Sequence, residues 1–270
     1  MASCIFCGRT DISGEHIWAE WMHKYIPRSP QHRYVRQTLQ TARANPRIRG
    51  VKRTMNRQGS VRDIKIRAVC ERHYNNGWMS RFETHIKPIL TPLLKGEVAV
   101  LTEEAQRSLA AWLTMKVMVA EAAERDSMYT TQSEHTYLME HLKAPPNWRL
   151  WIARHNGRVW ASSYVRQAIT IGIVKDGLPP EPPDRSVAKN VQFVTLGLGQ
   201  LPVLITSTTV PDLEIKPADQ ILRVMRQLWP YRAGFLWPPG AILTDNDAET
   251  LTASFDRTIS SPGFEWVARP

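Results

Sequence analysis

Residues 4–18 of the chain read CIFCGRTDISGEHIW, and residues 70–79 read CERHYNNGWM. The first segment opens with two cysteines separated by two residues, and the second opens with a cysteine and a histidine at the same spacing. A gap of two residues lets one tight turn direct both side chains at a single ion. A Cys3His set is a closed tetrahedral set for structural Zn²⁺. We therefore predict a zinc site that stabilises the fold and takes no part in catalysis, with the ligands Cys4, Cys7, Cys70 and His73.

The three cysteines of the chain all belong to these two pairs. An odd number of cysteines argues against a disulfide framework. The N-terminus lacks the apolar run of a signal peptide, and no apolar run approaches the roughly 20 residues of a membrane-spanning helix. We therefore expect a cytoplasmic protein with no membrane partner.

The charge of the chain points to a polyanionic partner. The 270 residues carry a formal net charge of +10, with a sequence pI near 9.8. Residues 24–72, here called the basic arm, contain Lys or Arg at fourteen positions but acidic residues only at Asp63 and Glu71. Such an excess favours nucleic acid as partner, because Lys and Arg neutralise backbone phosphates. The alternative is a solvated surface that only aids solubility. The candidate nucleic-acid-binding residues are Arg47, Arg49, Lys52, Arg53 and Arg57.

The pattern of apolar residues changes near Gly96, which predicts two domains, 1–96 and 97–270. In the second, Thr102 is a plausible N-cap for a long, largely buried helix over residues 102–125. A second helix is expected over residues 131–142, because the proline pair at 145–146 disfavours helical geometry just before it.

The rest of the chain favours strands. Residues 148–153 and 158–164 alternate apolar and polar side chains on either side of Asn156-Gly157, which predicts a β-hairpin. Further strands are expected over residues 167–174, 191–198 and 201–206, and a helix over residues 217–228. The predicted fold class is α+β. We expect residues 97–270 to form an accessory domain, which is a candidate surface for a protein partner or for a homodimer.

A Glu15-His16 dipeptide lies between the two ligand pairs, and Asn75-Asn76 follows the second pair. This order of motifs resembles the zinc-containing HNH endonucleases of the His-Me finger, or ββα-metal, superfamily. The chain looks similar to phage and bacterial proteins of this kind that have GEHIW-like and NNGWM-like motifs. The resemblance covers about residues 4–90. It implies a zinc-stapled ββα-metal (HNH) module, followed by the larger α+β domain.

The resemblance also implies roles for these residues. His16 would be the general base that deprotonates water, and Glu15 would bind a catalytic Mg²⁺ or Mn²⁺. Asn75 or Asn76 would be the opposing ligand, from the following helix. These residue types suit phosphodiester hydrolysis, which needs a base of near-neutral pKa and a hard cation held by oxygen atoms. Two departures from the family pattern are His73 in place of a fourth cysteine and the insertion of Tyr74. The insertion leaves both asparagines as candidates, and a shifted helical register favours Asn76.

Adjacent residues on a strand point to opposite faces, so Glu15 and His16 share a site only if the strand end is twisted or bulged. Gly14 would permit such a distortion. The resemblance also implies a middle asparagine, which would be Asn45 or Asn56, since both lie between His16 and Cys70.

Four further residues are candidates for the same site. On a helix, Glu20 and His23 would share the face of His16 and add to its site, or else form a solvated face beside the buried Trp18 and Trp21. Glu83 or His85, on the helix after the asparagine pair, is a candidate third ligand.

The leading hypothesis is a metal-dependent endonuclease that nicks or cuts DNA, with double-stranded DNA as the expected substrate. The alternative is a non-catalytic zinc-containing protein that binds nucleic acid. The Glu-His dipeptide and the asparagine pair favour the nuclease, because binding alone needs neither a general base nor oxygen ligands for a divalent ion.

Overall fold

The three-dimensional structure is a computed structural model of the 270-residue chain. It describes residues 3–28, 34–40, 49–51, 63–74, 77–123, 128–169, 189–211, 213–215, 217, 219–260 and 267–268. The helices are α1 (Glu71–Tyr74), α2 (Trp78–Lys95), α3 (Glu103–Glu121), α4 (Gln132–His141), α5 (Asp219–Val224) and α6 (Asp245–Ser260), with a short 3-10 helix, η1, at Glu20–Lys24. The strands are β1 (Ile12–His16), β2 (Tyr34–Gln40), β3 (Arg49–Val51), β4 (Lys65–Cys70), β5 (Ala99–Leu101), β6 (Trp148–Ile152), β7 (Arg154–His155), β8 (Ser162–Ile169), β9 (Val191–Leu198), β10 (Leu201–Thr208), β11 (Leu213–Glu214), β12 (Arg226–Trp229), β13 (Phe235–Trp237), β14 (Ile242–Leu243) and β15 (Val267–Ala268).

The described residues contain both helices and strands in comparable amounts, so the predicted α+β class is confirmed. No helix in the described ranges combines the length and the apolar character that a membrane crossing requires.

Strands β1 and β4 form a separate antiparallel pair that is followed by α1 and α2. Ile12 lies opposite Cys70 at one end of the pair, and His16 lies opposite Lys65 at the other. The register shifts between Ser13 and Gly14, so that β4 contains one extra residue at this point. The pair therefore has a cysteine at one end and a histidine at the other.

A seven-stranded sheet in the order β12-β6-β10-β9-β8-β2-β3 forms the largest layer. Its strands pair antiparallel, except that β2 runs parallel to β8. Every side chain of the central strands β9 and β10 is buried, as expected for strands covered on both faces. The tight turn between them contains Gly199 at a positive φ of 59°, which favours glycine.

The buried helix α3 packs between α2 and the rest of the core. The Thr102 side chain accepts a hydrogen bond from the Ala105 N–H at 3.2 Å, so the predicted cap is confirmed. The predicted buried helix is also present, but it ends at Glu121, and residues 124–125 of the predicted range lie outside the described residues. Helix α4 confirms the helix predicted over residues 131–142. Thr131 and Glu134 form a reciprocal capping box at its N-terminus. A buried ion pair also joins α3 to the sheet, where Arg166 donates to Glu121 at 2.5 Å.

The predicted hairpin around Asn156-Gly157 is wrong. Strand β6 pairs with β10 and β12, whereas β8 pairs with β9 and β2. The segment between β7 and β8 is held by the Asp245 carboxylate, which accepts from the N–H groups of Arg158 at 3.0 Å and Trp160 at 2.8 Å. A contact with a residue far along the chain has overridden the local turn signal.

The other predictions for the C-terminal part have mixed outcomes. The strands expected over residues 191–198 and 201–206 are confirmed as β9 and β10. The strand expected over residues 167–174 overlaps β8, which begins earlier, and residues 170–174 lie outside the described residues. The helix expected over residues 217–228 is wrong in its last turn, because α5 ends at Val224 and residues 226–229 form β12.

The predicted boundary at Gly96 coincides with the end of α2, where Gly96 is the left-handed C-cap with φ 69°. Packing is continuous across this point. One cluster of buried apolar side chains contains Cys4 and Trp18 together with Trp112 and Trp148. The two-domain division stays a prediction, and the largest hydrophobic cluster contains residues from both parts.

Candidate metal centre and active site

The four predicted zinc ligands converge at one end of the β1–β4 pair, the end at which Ile12 lies opposite Cys70. Cys4 and Cys7 lie in the turn that precedes β1, whereas Cys70 ends β4 and His73 lies in α1. The turn is closed by hydrogen bonds from the Cys4 N–H to the Arg9 carbonyl at 2.7 Å and from the Gly8 N–H to the Cys4 carbonyl at 2.9 Å. The Ile5 N–H donates to the Ala68 carbonyl at 2.9 Å and docks this turn on β4.

The geometry of these four side chains fits a metal ion. Their ligand atoms all lie within 4.8 Å of one another, and the sulfur atoms of Cys7 and Cys70 are 3.6 Å apart. A tetrahedral Zn²⁺ with Zn–S bonds of about 2.3 Å places two sulfur atoms about 3.8 Å apart. The Nε2 atom of His73 is buried and has no hydrogen-bond partner within the described part of the chain. The cluster can therefore hold a metal ion, and its donor set is consistent with zinc.

The protonation of the cluster follows from its surroundings. Burial raises the pKa of the Cys70 thiol to about 11. Burial also acts to raise the pKa of Cys4, but backbone N–H groups of Cys70, Phe6 and Cys7 outweigh it and lower this pKa below its usual value. Burial, and then the charge of Arg72, lowers the pKa of His73, which keeps its imidazole neutral at neutral pH. Thiolate and neutral imidazole are the forms that bind zinc.

Aromatic packing connects the metal centre to both parts of the chain. The Phe6 ring makes edge-on contacts with His73, Trp78 and His135, at centroid distances of 6.3, 5.2 and 5.8 Å. Trp78 begins α2 and His135 belongs to α4. The metal centre is therefore packed against helices on both sides of Gly96.

Glu15 and His16 differ in exposure at the end of β1. Glu15 is fully buried, whereas His16 is partly exposed, which is the alternation expected of neighbouring strand residues. The predicted irregularity beside Gly14 is present, but it precedes the pair and its extra residue belongs to β4. The bulge therefore does not remove the alternation between Glu15 and His16.

The Glu15 carboxylate is held in a buried charge cluster with Lys116 and Glu83. The Lys116 ammonium donates to Glu15 Oε1 at 2.6 Å and lies 2.7 Å from Glu83 Oε1. The side chains of Lys116 and Glu15 are 0% exposed, and that of Glu83 is 16% exposed. Burial lowers the pKa of Lys116, but the carboxylates of Glu83 and Glu15 raise it above its usual value, so the ammonium is charged. Three charges, from β1, α2 and α3, meet inside the core.

The surroundings of Glu15 do not fit the catalytic Mg²⁺ or Mn²⁺ that the resemblance implies. Mg²⁺ keeps several bound waters and requires octahedral oxygen ligands, whereas Glu15 is fully buried and bound to an ammonium. A dication at about 5 Å from that ammonium would be repelled by about 7 kcal/mol at an effective dielectric constant of about 20. The described residues therefore give no support to a divalent ion at Glu15.

The surroundings of His16 set the charge of its imidazole. Burial, followed by the charges of Lys65 and His23, lowers its pKa below 6.5, so the imidazole is neutral at neutral pH. The His23 ring lies edge-on to it at a centroid distance of 5.5 Å. His23 Nε2 lies 3.2 Å from the Trp18 carbonyl, which orients its ring. Of the predicted neighbours, His23 thus lies beside His16, whereas the nearby Glu20 is exposed.

The remaining site predictions are distributed as follows. Glu83 shares Lys116 with Glu15, while His85 Nε2 lies 3.3 Å from Ser108 Oγ. Arg49 begins β3, but its side chain is not described. The predicted residues Asn45, Arg47, Lys52, Arg53, Asn56, Arg57, Asn75 and Asn76 lie outside the described residues.

Lys116 is the residue of this region whose role sequence reasoning missed. It lies among the apolar residues of α3, inside the helix that the sequence predicts as largely buried. A lysine on such a helix signals a buried partner, because a buried charge is retained only when it is paired.

No protein-family model, curated protein or solved structure matches the chain. An assignment of function rests on the chemistry of its own residues.

Proposed function

We propose that this chain is a nuclease built on a zinc-stapled ββα module, in which His16 activates a water molecule against a DNA phosphodiester. The observation that carries the proposal is the position of His16. It is a partly exposed, neutral histidine at the open end of an antiparallel strand pair, and the metal cluster lies at the other end. Two strands followed by a helix, with an acidic residue and a histidine at the strand end, are the order of elements that the HNH resemblance predicts.

The chemistry at His16 needs a base and positive charge. The neutral imidazole accepts a proton from water, and the resulting hydroxide attacks phosphorus in line with the leaving 3′-oxygen. That oxygen takes a proton from solvent, which leaves 3′-hydroxyl and 5′-phosphate ends. Lys65 lies opposite His16 on β4 and is exposed, so its ammonium can stabilise charge on the phosphate oxygens. No step here depends on a divalent ion.

DNA is the proposed partner, with double-stranded DNA as the expected form. The net charge of +10 supports this, since phosphate neutralisation by Lys and Arg provides most non-specific affinity. Binding should then weaken steeply as salt concentration rises. Residues 97–270 stay a candidate surface for a protein partner or a homodimer.

The proposal is tested by incubating the zinc-loaded protein with supercoiled plasmid, with and without Mg²⁺ or Mn²⁺. His16→Ala is compared with His141→Ala, which removes an exposed histidine of α4. Loss of a general base lowers the rate by about 10²–10⁴-fold. We expect nicking by the wild-type protein and by His141→Ala, and its loss in His16→Ala. Equal cutting by all three proteins would exclude His16 as the base.

A second candidate function is a zinc-containing protein that binds nucleic acid without cutting it. One observation favours it, which is that the acidic residue of the Glu-His dipeptide serves as the partner of a buried lysine. This candidate predicts that wild-type and His16→Ala proteins both retard DNA in a salt-sensitive way and that neither cuts.

A further inference from the structure

The charge cluster of Glu15, Lys116 and Glu83 places a cation where the HNH resemblance implies a divalent metal ion. We propose that the Lys116 ammonium takes the place of a divalent cation at Glu15, and that Glu15 and Lys116 are positioning residues for His16. The inference rests on the proposed function for the role of His16. It goes beyond that function in naming the cation of the site and in connecting it to α3.

The number of N–H donors on the ammonium supports the idea that it replaces a divalent cation. Lys116 Nζ has three N–H donors, and three oxygen atoms surround it. These are Glu15 Oε1 at 2.6 Å, Glu83 Oε1 at 2.7 Å and the carbonyl oxygen of His16 at 3.4 Å. Two carboxylates and a carbonyl are also the kind of hard oxygen ligands that a divalent cation prefers. The ammonium therefore contacts three oxygen atoms of the kind that bind a divalent cation.

The same contacts explain how the cluster acts on His16. Lys116 binds both the side chain of Glu15 and the backbone carbonyl of His16, so it holds the last two residues of β1 against α3. Glu83 joins α2 to the same point. The imidazole of His16 projects from a backbone that is fixed on its buried side. A base held in this way keeps a fixed orientation toward the substrate. The reaction rate depends strongly on this orientation.

The location of Lys116 makes the site depend on the C-terminal part of the chain. Lys116 and Glu15 are separated by 101 positions in sequence. The residues before Gly96 contain the histidine, the acidic residue and the metal cluster, but not the cation that pairs with Glu15. The module that the sequence predicts over residues 1–96 is therefore incomplete without α3.

The test measures divalent-ion binding separately from cleavage. Full-length, zinc-loaded wild-type protein and Glu15→Gln are titrated with Mn²⁺, and free Mn²⁺ is followed by electron paramagnetic resonance. We expect no stoichiometric Mn²⁺ site in the wild-type protein and no difference between it and Glu15→Gln. One bound Mn²⁺ per wild-type chain that is lost in Glu15→Gln would overturn the proposal.

Cleavage kinetics test the positioning role. Lys116→Met is compared with Lys95→Met, which removes a lysine from an exposed ion pair. We expect wild-type plasmid nicking without added Mg²⁺, and a fall in kcat of about tenfold or more in Lys116→Met with KM almost unchanged. An equal loss in Lys95→Met, or a change in KM alone, would contradict positioning. If Lys116→Met does not fold, the Mn²⁺ titration of the wild-type protein still decides the first half of the proposal.

The failures of the two proposals can be told apart. A protein that cuts DNA through His16 only when Mn²⁺ is bound at Glu15 would refute the inference and leave the nuclease intact. A protein that neither cuts DNA nor binds Mn²⁺ at Glu15 would refute the nuclease, and with it the positioning role of Lys116.

Discussion

Replacing Lys116 by methionine should destabilise the protein strongly. Methionine has a similar volume, so the change removes the charge without creating a large cavity. It leaves the carboxylates of Glu15 and Glu83 facing each other in the core without the ammonium that both now contact. Their oxygen atoms lie within about 5 Å of each other, and two such charges repel by about 3 kcal/mol at an effective dielectric constant of about 20. Removal of one partner from a buried ion pair typically costs about 3–5 kcal/mol. We therefore expect the free energy of unfolding to fall by about 3–5 kcal/mol.

Urea unfolding measures this loss, with the fluorescence of the ten tryptophans as signal. The matched control is Lys95→Met, whose ion pair with Glu97 is 41% and 55% exposed and should contribute less than about 1 kcal/mol. The double variant Glu15→Gln/Lys116→Met removes the charge of one of the two carboxylates, so it should recover part of the loss. A fall of less than about 1 kcal/mol in Lys116→Met, equal to that of Lys95→Met, would refute the buried charge cluster.

The other predictions concern the metal centre, the segment between β7 and β8, and the base. The wild-type protein should contain one zinc ion per chain by a colorimetric chelator assay, and Cys70→Ser should contain none; a full equivalent in the variant would contradict the ligand set. Asp245→Asn should lower the free energy of unfolding by about 1–2 kcal/mol, because Asp245 accepts from two backbone N–H groups. Burial acts to raise the pKa of Asp245, but backbone N–H groups and His155 outweigh it and hold this pKa below 3.8. The stability advantage of the wild-type protein over Asp245→Asn should therefore be present above pH 3.8 and be lost as pH falls through the folded-state pKa. A stability advantage that persisted in acid would contradict this. For cleavage, kcat/KM should rise with pH with a midpoint below 6.5, because the pKa of His16 is lowered; a midpoint above 7 would point to another base.

Local patterns were sufficient to predict the metal centre and α3. The C-x2-C and C-x2-H spacings need only two tight turns and one strand pair to bring four ligands together, and the structure confirms that these side chains converge. Helix α3 is defined by its own cap at Thr102 and by its apolar residues. In both cases the information lies within a few residues of each element.

Contacts between distant residues account for what the sequence did not reveal. The Asn156-Gly157 signal was overridden by Asp245, which lies 87 positions beyond Arg158 and holds that segment in another conformation. The role of Lys116 was missed for the same reason. Its partners lie on β1 and α2, and only the packing of these elements against α3 brings the three charges together.

Single-turnover cleavage of an end-labelled DNA duplex tests the nuclease role of His16 most directly. Zinc-loaded wild-type protein is compared with His16→Ala, with retained zinc and a cooperative unfolding transition as controls for folding. A nuclease with His16 as its base should give 3′-hydroxyl and 5′-phosphate ends, and the variant should be slower by about 10² or more. Equal rates in the two proteins, or salt-sensitive binding without any cleavage by the wild-type protein, would contradict it.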